Sequence, residues 1–472
     1  MKRLCVFLII IFIGCISQQP PQFENCSPED TALQVNGGES IRFSCYASDP
    51  DTNTLEYSWY VNDIEVSTTV YYDFTMSPGK YTVMVEVSDG ITSITYTWDV
   101  TVVGSLDFEK IQTRLERIRG LNFSESVRRV EIDRNQLRET LMADLQEEYE
   151  DILKEKALYV AMHVMDSEAD LYQMYVDMLT SQIASYYDTG DHTFYEVLDP
   201  DEPSALREYI AAHEFLHALQ DQHHYLDEEF DNDDQFLAYL CVVEGDAVFH
   251  QLKYLEGMTY LEKKLLFEYI STLDIPVVSI LLENMLSLRY DLGYDFVTSM
   301  SFSGVDTLYE SLPLSTEQVM HPEKYMTHEL PIEVDIPLFP GWNELTTNTL
   351  GEAIMVTILK EHISSEKAAE AAEGWGGDTY GYYQKGEDYL FILNTFWDTK
   401  DDAEEFYEAY YDFTLSWSNK SIREIDEDIY ETPTGFLALI QKNKQVIVLE
   451  SSSYEAIITA LTSMQHPFLE IV

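Results

Sequence analysis

Near residue 105 the apolar pattern of this chain changes period, from two residues upstream to between three and four downstream. One sheet or one bundle cannot satisfy both patterns, so at least two folding units are required. Upstream, residues 40–46, 55–61 and 81–87 alternate apolar and polar side chains. They are punctuated by Asp49-Pro50-Asp51, Asn62-Asp63, Ser77-Pro78-Gly79 and Asp89-Gly90. Six or seven short strands at that spacing predict a β-sandwich over residues 23–104. Downstream, Phe108, Ile111, Leu115 and Ile118 share one helical face, and Leu137, Leu141 and Leu145 another. This helical pattern predicts a mainly α-helical region over 105–344, interrupted by a strand at 193–198. A smaller α+β part follows over 345–472. Its expected helices lie at 350–361, 401–411 and 455–464, and its expected strands at 389–393 and 445–450. The fold class expected is therefore multidomain, and 472 residues are enough for two or three units.

Lys2 and Arg3 precede an apolar run over 4–13, then Gly14-Cys15, with a polar linker over 16–22. This is the pattern of an export signal over 1–15, too short to span a bilayer as an ordinary helix. The small residue before Cys15 resembles the lipobox of surface lipoproteins, although Phe12 stands where leucine is usual. The resemblance implies a lipid anchor at Cys15; simple cleavage or a retained anchor are the alternatives. Each outcome places the chain outside the cytoplasm, where a disulfide between Cys26 and Cys45 is expected. Cys241 falls in an apolar helical stretch and is expected to be buried. The formal net charge of −57 excludes nucleic acid as a partner. It leaves open a solvated acidic coat or attraction of basic substrates and divalent cations.

The chemistry centres on His213-Glu214-Phe215-Leu216-His217, read as an HExxH motif on a helix entered through Pro200 and Pro203. Histidines four apart project from one helical face and can reach a single Zn²⁺. Glu214, about 100° around the helix, can act as general base towards a zinc-activated water. His223 and His224 lie about 9–10 Å further along an unbroken helix and cannot complete the site. Glu244, within the apolar stretch 238–248, is the expected third ligand, since a lone buried glutamate is costly without a cation. The alternative places it at a solvated helix edge. Gly245 is expected to let this helix approach the HExxH helix closely.

Two resemblances extend this reading. The stretch Ser48-Asp49-Pro50-Asp51, Tyr57-Ser58-Trp59-Tyr60-Val61, Ser77-Pro78-Gly79-Lys80-Tyr81 and Val87-Ser88-Asp89-Gly90 resembles PKD and related Ig-like repeats of microbial surface proteins. Asp49 and Asp51 there could bind Ca²⁺ or simply form turns. The HExxH motif followed by a glutamate on the next helix resembles the gluzincin class of zinc peptidases, the class of thermolysin. Asp221, four residues after His217, matches an aspartate at the same spacing in thermolysin-like enzymes, and its position is expected to let it orient His217. Val248 departs from that pattern, leaving Asp246 as the acidic residue available near the third ligand. The segments Ser185-Tyr186-Tyr187-Asp188, Glu244-Gly245-Asp246-Ala247, 315–325 and 371–380 are similar to uncharacterised archaeal and bacterial HExxH proteins predicted to be zinc peptidases.

The resemblance implies a peptide or protein substrate. The strand 193–198 is the expected substrate edge, and His321 and Tyr325 are the candidate electrophiles for the oxyanion, the alternative being that His321 with Pro322 caps a turn. The alternative is a cell-surface adhesion or binding protein whose zinc site is structural. Glu214 favours the enzyme, because holding a metal does not require it.

Overall fold

The computed structural model describes residues 19–103, 106–199, 202–224, 226, 229–273 and 277–464. The signal and lipobox, with Cys5 and Cys15, lie outside the described residues. These residues divide into two units.

The first unit takes the described residues of 1–110, 201–208 and 257–273. Its strands form two sheets. Gln22–Ser27, Ile41–Ser48 and Tyr71–Phe74 make an antiparallel three-stranded sheet. The second sheet runs in the order Ala32–Asn36, Ser93–Val103, Gly79–Ser88, Glu56–Val61 and Ile64–Ser67. It is antiparallel except where Ala32–Asn36 meets Ser93–Val103. The inward residues of the alternating runs, Phe43, Trp59, Val83, Val85 and Trp98, are fully buried between the sheets. Cys26 and Cys45 face each other across neighbouring strands and form the expected disulfide. Asp49 acts as a turn former, and Asp51 ties down a distant segment. Asp49 Oδ1 accepts the N–H groups of Asp51 and Thr52 at 2.7 and 2.8 Å, and Asp51 Oδ2 accepts that of Gln19.

The helix Tyr260–Thr272 also belongs to this unit, although its position within 105–344 assigned it to the helical region. Leu261 and Leu265 are buried in the sandwich core, and that burial decides the matter.

The second unit takes the described residues of 111–200, 209–256 and 274–472. The expected boundary at 344/345 falls inside it. The helices Tyr149–Ala161 and Leu171–Gln182 share one core with Gly351–Lys360, Lys400–Trp417 and one face of the C-terminal sheet. That sheet has seven antiparallel strands: Asn343–Asn348, Trp375–Lys385, Asp388–Trp397, Gln445–Ser451, Gly435–Lys442, Ile429–Thr432 and Arg423–Asp426. Phe391 and Leu393 face this helical core, whereas Leu390 and Ile392 face a second core with Phe339 and the helix Tyr454–Met464. Both faces are covered, which is why these strands read as continuous apolar runs rather than alternations.

A small sheet places Thr193–Val197 between Ser185–Asp188, antiparallel, and Arg128–Ile132, parallel. The helices Asp233–Glu256 and Ile280–Met300 cross at backbone contact. A Cβ on Gly245 would lie 2.2 Å from the carbonyl oxygen of Gly293, and a Cβ on Gly293 would lie 2.3 Å from that of Cys241. The close approach expected of Gly245 is therefore made to Ile280–Met300 and not to the HExxH helix. No helix among the described residues is long and apolar enough to cross a membrane.

Candidate metal centre

The helix Ser204–His224 runs unbroken through the HExxH residues. His213 Nε2 and His217 Nε2 lie 3.0 Å apart. Each is 3.2 Å from Glu244 Oε2, on the helix Asp233–Glu256. Donor atoms around a tetrahedral ion at Zn–N and Zn–O distances of about 2.1 Å are separated by about 3.4 Å, so these spacings suit such an ion. His223 and His224 are engaged elsewhere, His223 with the Asn122 carbonyl and His224 stacked on Tyr309.

The network around His217 decides which nitrogen carries the proton. Gln220 Nε2 donates to the Val243 carbonyl and to Asp246 Oδ2, at 2.9 and 3.0 Å. Its Oε1 therefore faces His217 Nδ1, at 2.9 Å, and accepts a hydrogen bond from the Nδ1–H. The lone pair of His217 is left on Nε2, at the centre of the cluster. A lone pair and a carboxylate oxygen converging with His213 Nε2 at this spacing need a cation or shared protons between them. His213 Nδ1 is buried with no hydrogen-bond partner among the described residues. The donor set, two imidazoles and one carboxylate, is one that zinc takes in catalytic sites.

Asp221 does not orient His217. It accepts from the Tyr187 hydroxyl and from His192 Nδ1, both at 2.8 Å, which anchors the Ser185–Asp188 strand on the HExxH helix. Gln220 stands in its place because that residue, one turn from His217, is the one directed at Nδ1. Asp246 hydrogen-bonds to neither His213 nor His217 among the described residues and reaches the cluster through Gln220. Arg119 Nε lies 3.0 Å and His250 Nδ1 2.7 Å from its Oδ1, and Tyr309 donates to its Oδ2 at 3.0 Å. Burial alone would raise the Asp246 carboxyl, but His250 and Arg119 outweigh it and hold the group well below the usual carboxylate range. It is thus an anion that keeps the Gln220 amide turned.

Glu214 stands beside the cluster, and its Oε2 accepts the backbone N–H of Tyr187 at 2.9 Å. Burial raises its proton affinity, against the opposing pull of His213 and His217.

His321 and Tyr325 are committed elsewhere. His321 Nε2 is 2.9 Å from Glu352 Oε1, and the Tyr325 hydroxyl donates to the Ser311 carbonyl. The polarity of their segment is structural. Ser315 caps the helix Thr316–Met320, Pro322 opens Pro322–Thr327, and Lys324 lies among Glu317, Glu329 and Asp398. Those three acids are close enough to hold an ion, but the ammonium of Lys324 already sits among them and pairs with each.

Two residues that sequence reasoning missed line the cluster. Arg289 Nε lies 3.6 Å from Glu244 Oε1, and the Tyr290 ring is 6.2 Å from that of His213. Burial and the Glu244 charge push the Tyr290 hydroxyl up to about 12, so it keeps its proton and remains a donor. They sit on Ile280–Met300, 45 or more residues beyond Glu244, where no local spacing could have signalled them.

The strand expected to bind substrate, Thr193–Val197, has neighbours on both edges and cannot add another. Ser185–Asp188 is the member of this sheet that touches Glu214.

Residues 338–460 match a family described as a domain of unknown function, DUF8575, a span that holds none of His213, Glu214, His217 and Glu244. No curated protein matches the chain. Among solved structures, part of the chain is similar to a quinonprotein alcohol dehydrogenase-like protein from Bacteroides thetaiotaomicron. The identity is 16% and the TM-score 0.15, over 17% of this chain and 20% of that one. Part is similar to fibronectin(III)-like modules of Clostridium thermocellum CbhA, at 14% identity and TM-score 0.16, over 16% of this chain and 93% of that one.

Proposed function

We propose that the chain is an extracytoplasmic zinc peptidase of gluzincin type, carried outside the membrane behind a PKD/Ig-like sandwich and anchored through Cys15. The observation that carries this reading is the convergence of His213, His217 and Glu244 within 3.2 Å of one another, with Glu214 beside them. Those three residues would hold Zn²⁺. Bound there, the ion supplies a Lewis acid that polarises a carbonyl and brings the pKa of a water to about 7.

The protein's own groups do the rest. Glu214, steadied by the Tyr187 N–H, takes a proton from the attacking water and returns it to the leaving amine. Gln220 and Asp246 keep the proton of His217 on Nδ1. Arg289 and Tyr290 take the role first sought in His321 and Tyr325, as donors towards negative charge on the attacked carbonyl oxygen. The strand Ser185–Asp188 replaces 193–198 as the edge that receives a peptide backbone.

The test is elemental analysis of the purified protein with casein cleavage in parallel. Near-stoichiometric zinc is expected in the wild type, and loss of zinc in Glu244→Ala. Glu214→Gln should retain zinc with cleavage reduced by at least about 10²-fold. Zinc bound by a wild type that cleaves nothing would favour the surface-binding alternative. Absence of zinc would overturn the metal site.

A further inference from the structure

A cavity of about 880 Å³ lies in the second unit. Arg289 belongs both to its wall and to the metal cluster, through the 3.6 Å approach to Glu244 Oε1. Met162, Met178, Leu240, Met285 and Leu286 give the cavity apolar walls, of a kind that adapts to unbranched chains.

Glu148, Asp151, Glu155 and Asp233 line the same space. Glu155 Oε1 accepts from the hydroxyls of Tyr159 and Tyr175, at 2.6 and 2.7 Å. Asp233 has Asn348 as its hydrogen-bond partner, which offers no charge. Burial raises the proton affinity of both, and the charge of Asp233 raises that of Glu155 further. Among the described residues neither pairs with a lysine or arginine. Lys154, on the same wall, is bound to Asp151 at 2.6 Å, and Arg289 turns towards Glu244. Glu155 is half-buried and Asp233 more exposed, and like charges at one cavity without a counter-cation favour a cation entering between them.

The acidic end is within a side chain's reach of the metal end. The Tyr159 hydroxyl, bonded to Glu155, lies 3.3 Å from Met285 Sδ. Met285 precedes Arg289 by one helical turn, about 6 Å. The net charge of −57 draws basic chains towards such an opening.

We infer that this cavity is a specificity pocket for a lysine or arginine side chain of the substrate, with the methylene stem against the methionine and leucine walls and the charged end between Glu155 and Asp233. The inference rests on the peptidase reading of the metal site.

The experiment titrates zinc-loaded, full-length Glu214→Gln protein calorimetrically with octapeptides in which lysine, norleucine or glutamate is stepped through each position. The same titrations are run in Glu155→Gln and Asp233→Asn backgrounds, with zinc content as the control for folding. At one position lysine should bind at least about tenfold more tightly than norleucine. Glu155→Gln should remove that preference while leaving zinc content and norleucine affinity in place. Equal binding of lysine and norleucine at every position overturns the inference, as does a lysine preference that survives both substitutions. Lysine-selective binding by a protein whose wild type cleaves none of the peptides keeps the pocket and overturns the peptidase reading. Cleavage with no lysine preference does the reverse.

Discussion

At the residue scale, the proton on His217 is decided by an amide. Gln220 donates to Val243 and Asp246 and so presents its carbonyl to Nδ1. Gln220→Leu removes that acceptor, and metal affinity should fall about 10- to 100-fold, measured by competition with a chelator. Asp221→Asn should leave affinity within a few-fold, because Asp221 holds Tyr187 and His192 instead. Asp234 carries a separate prediction. It is buried against Thr316, and burial pushes its carboxyl up to about 8. Its unfolded value is about 3.9, so between those two pH values the folded state holds a proton that the unfolded state has lost. The Asp234 contribution therefore costs no stability below about pH 4 and its full amount above about pH 8. Denaturant titrations from pH 5 to pH 8 should show a steeper loss of stability in the wild type than in Asp234→Asn.

At the scale of elements, the site depends on a helix crossing. Gly245, next to the proposed metal ligand Glu244, meets Gly293 backbone to backbone. Gly293→Ala places a methyl 2.3 Å from the Cys241 carbonyl oxygen, and backbone cannot turn aside as a side chain can. Stability to denaturant should fall by about 2–3 kcal/mol or more, with weaker zinc retention as Glu244 is displaced. The HExxH helix itself was legible because a spacing of four residues is a local property of one helix. The partner of Gly245 was not, since nothing in the stretch 238–248 says which of several helices will press against it. The strand 193–198 was found correctly as a strand, but its place in the middle of its sheet depends on Arg128–Ile132 and Ser185–Asp188. Its exposed edge was therefore misjudged.

At the scale of the whole molecule, 85 acidic residues against 28 basic ones make self-repulsion a standing cost of the folded state. Salt screens that repulsion over about 10 Å at 0.1 M and about 3 Å at 1 M. The melting temperature should therefore rise between 0.05 and 1 M NaCl in scanning calorimetry, and an unchanged or falling value would show that the charges are already compensated.

The sequence by itself determined the period switch near residue 105, the sandwich strands, the HExxH helix, Glu244 as the acid that meets it, and the Cys26–Cys45 pair. Each of these rests on spacing along one element, on the cost of burying a charge, or on two cysteines falling within one β module. The tertiary structure alone decided that Gln220 and not Asp221 turns His217, and that His321 belongs to Glu352. It also decided that Arg289 and Tyr290 stand at the cluster and that Tyr260–Thr272 joins the sandwich. Those outcomes depend on which faces pack together, and packing is settled by shape and burial across distant segments, which local periodicity does not encode.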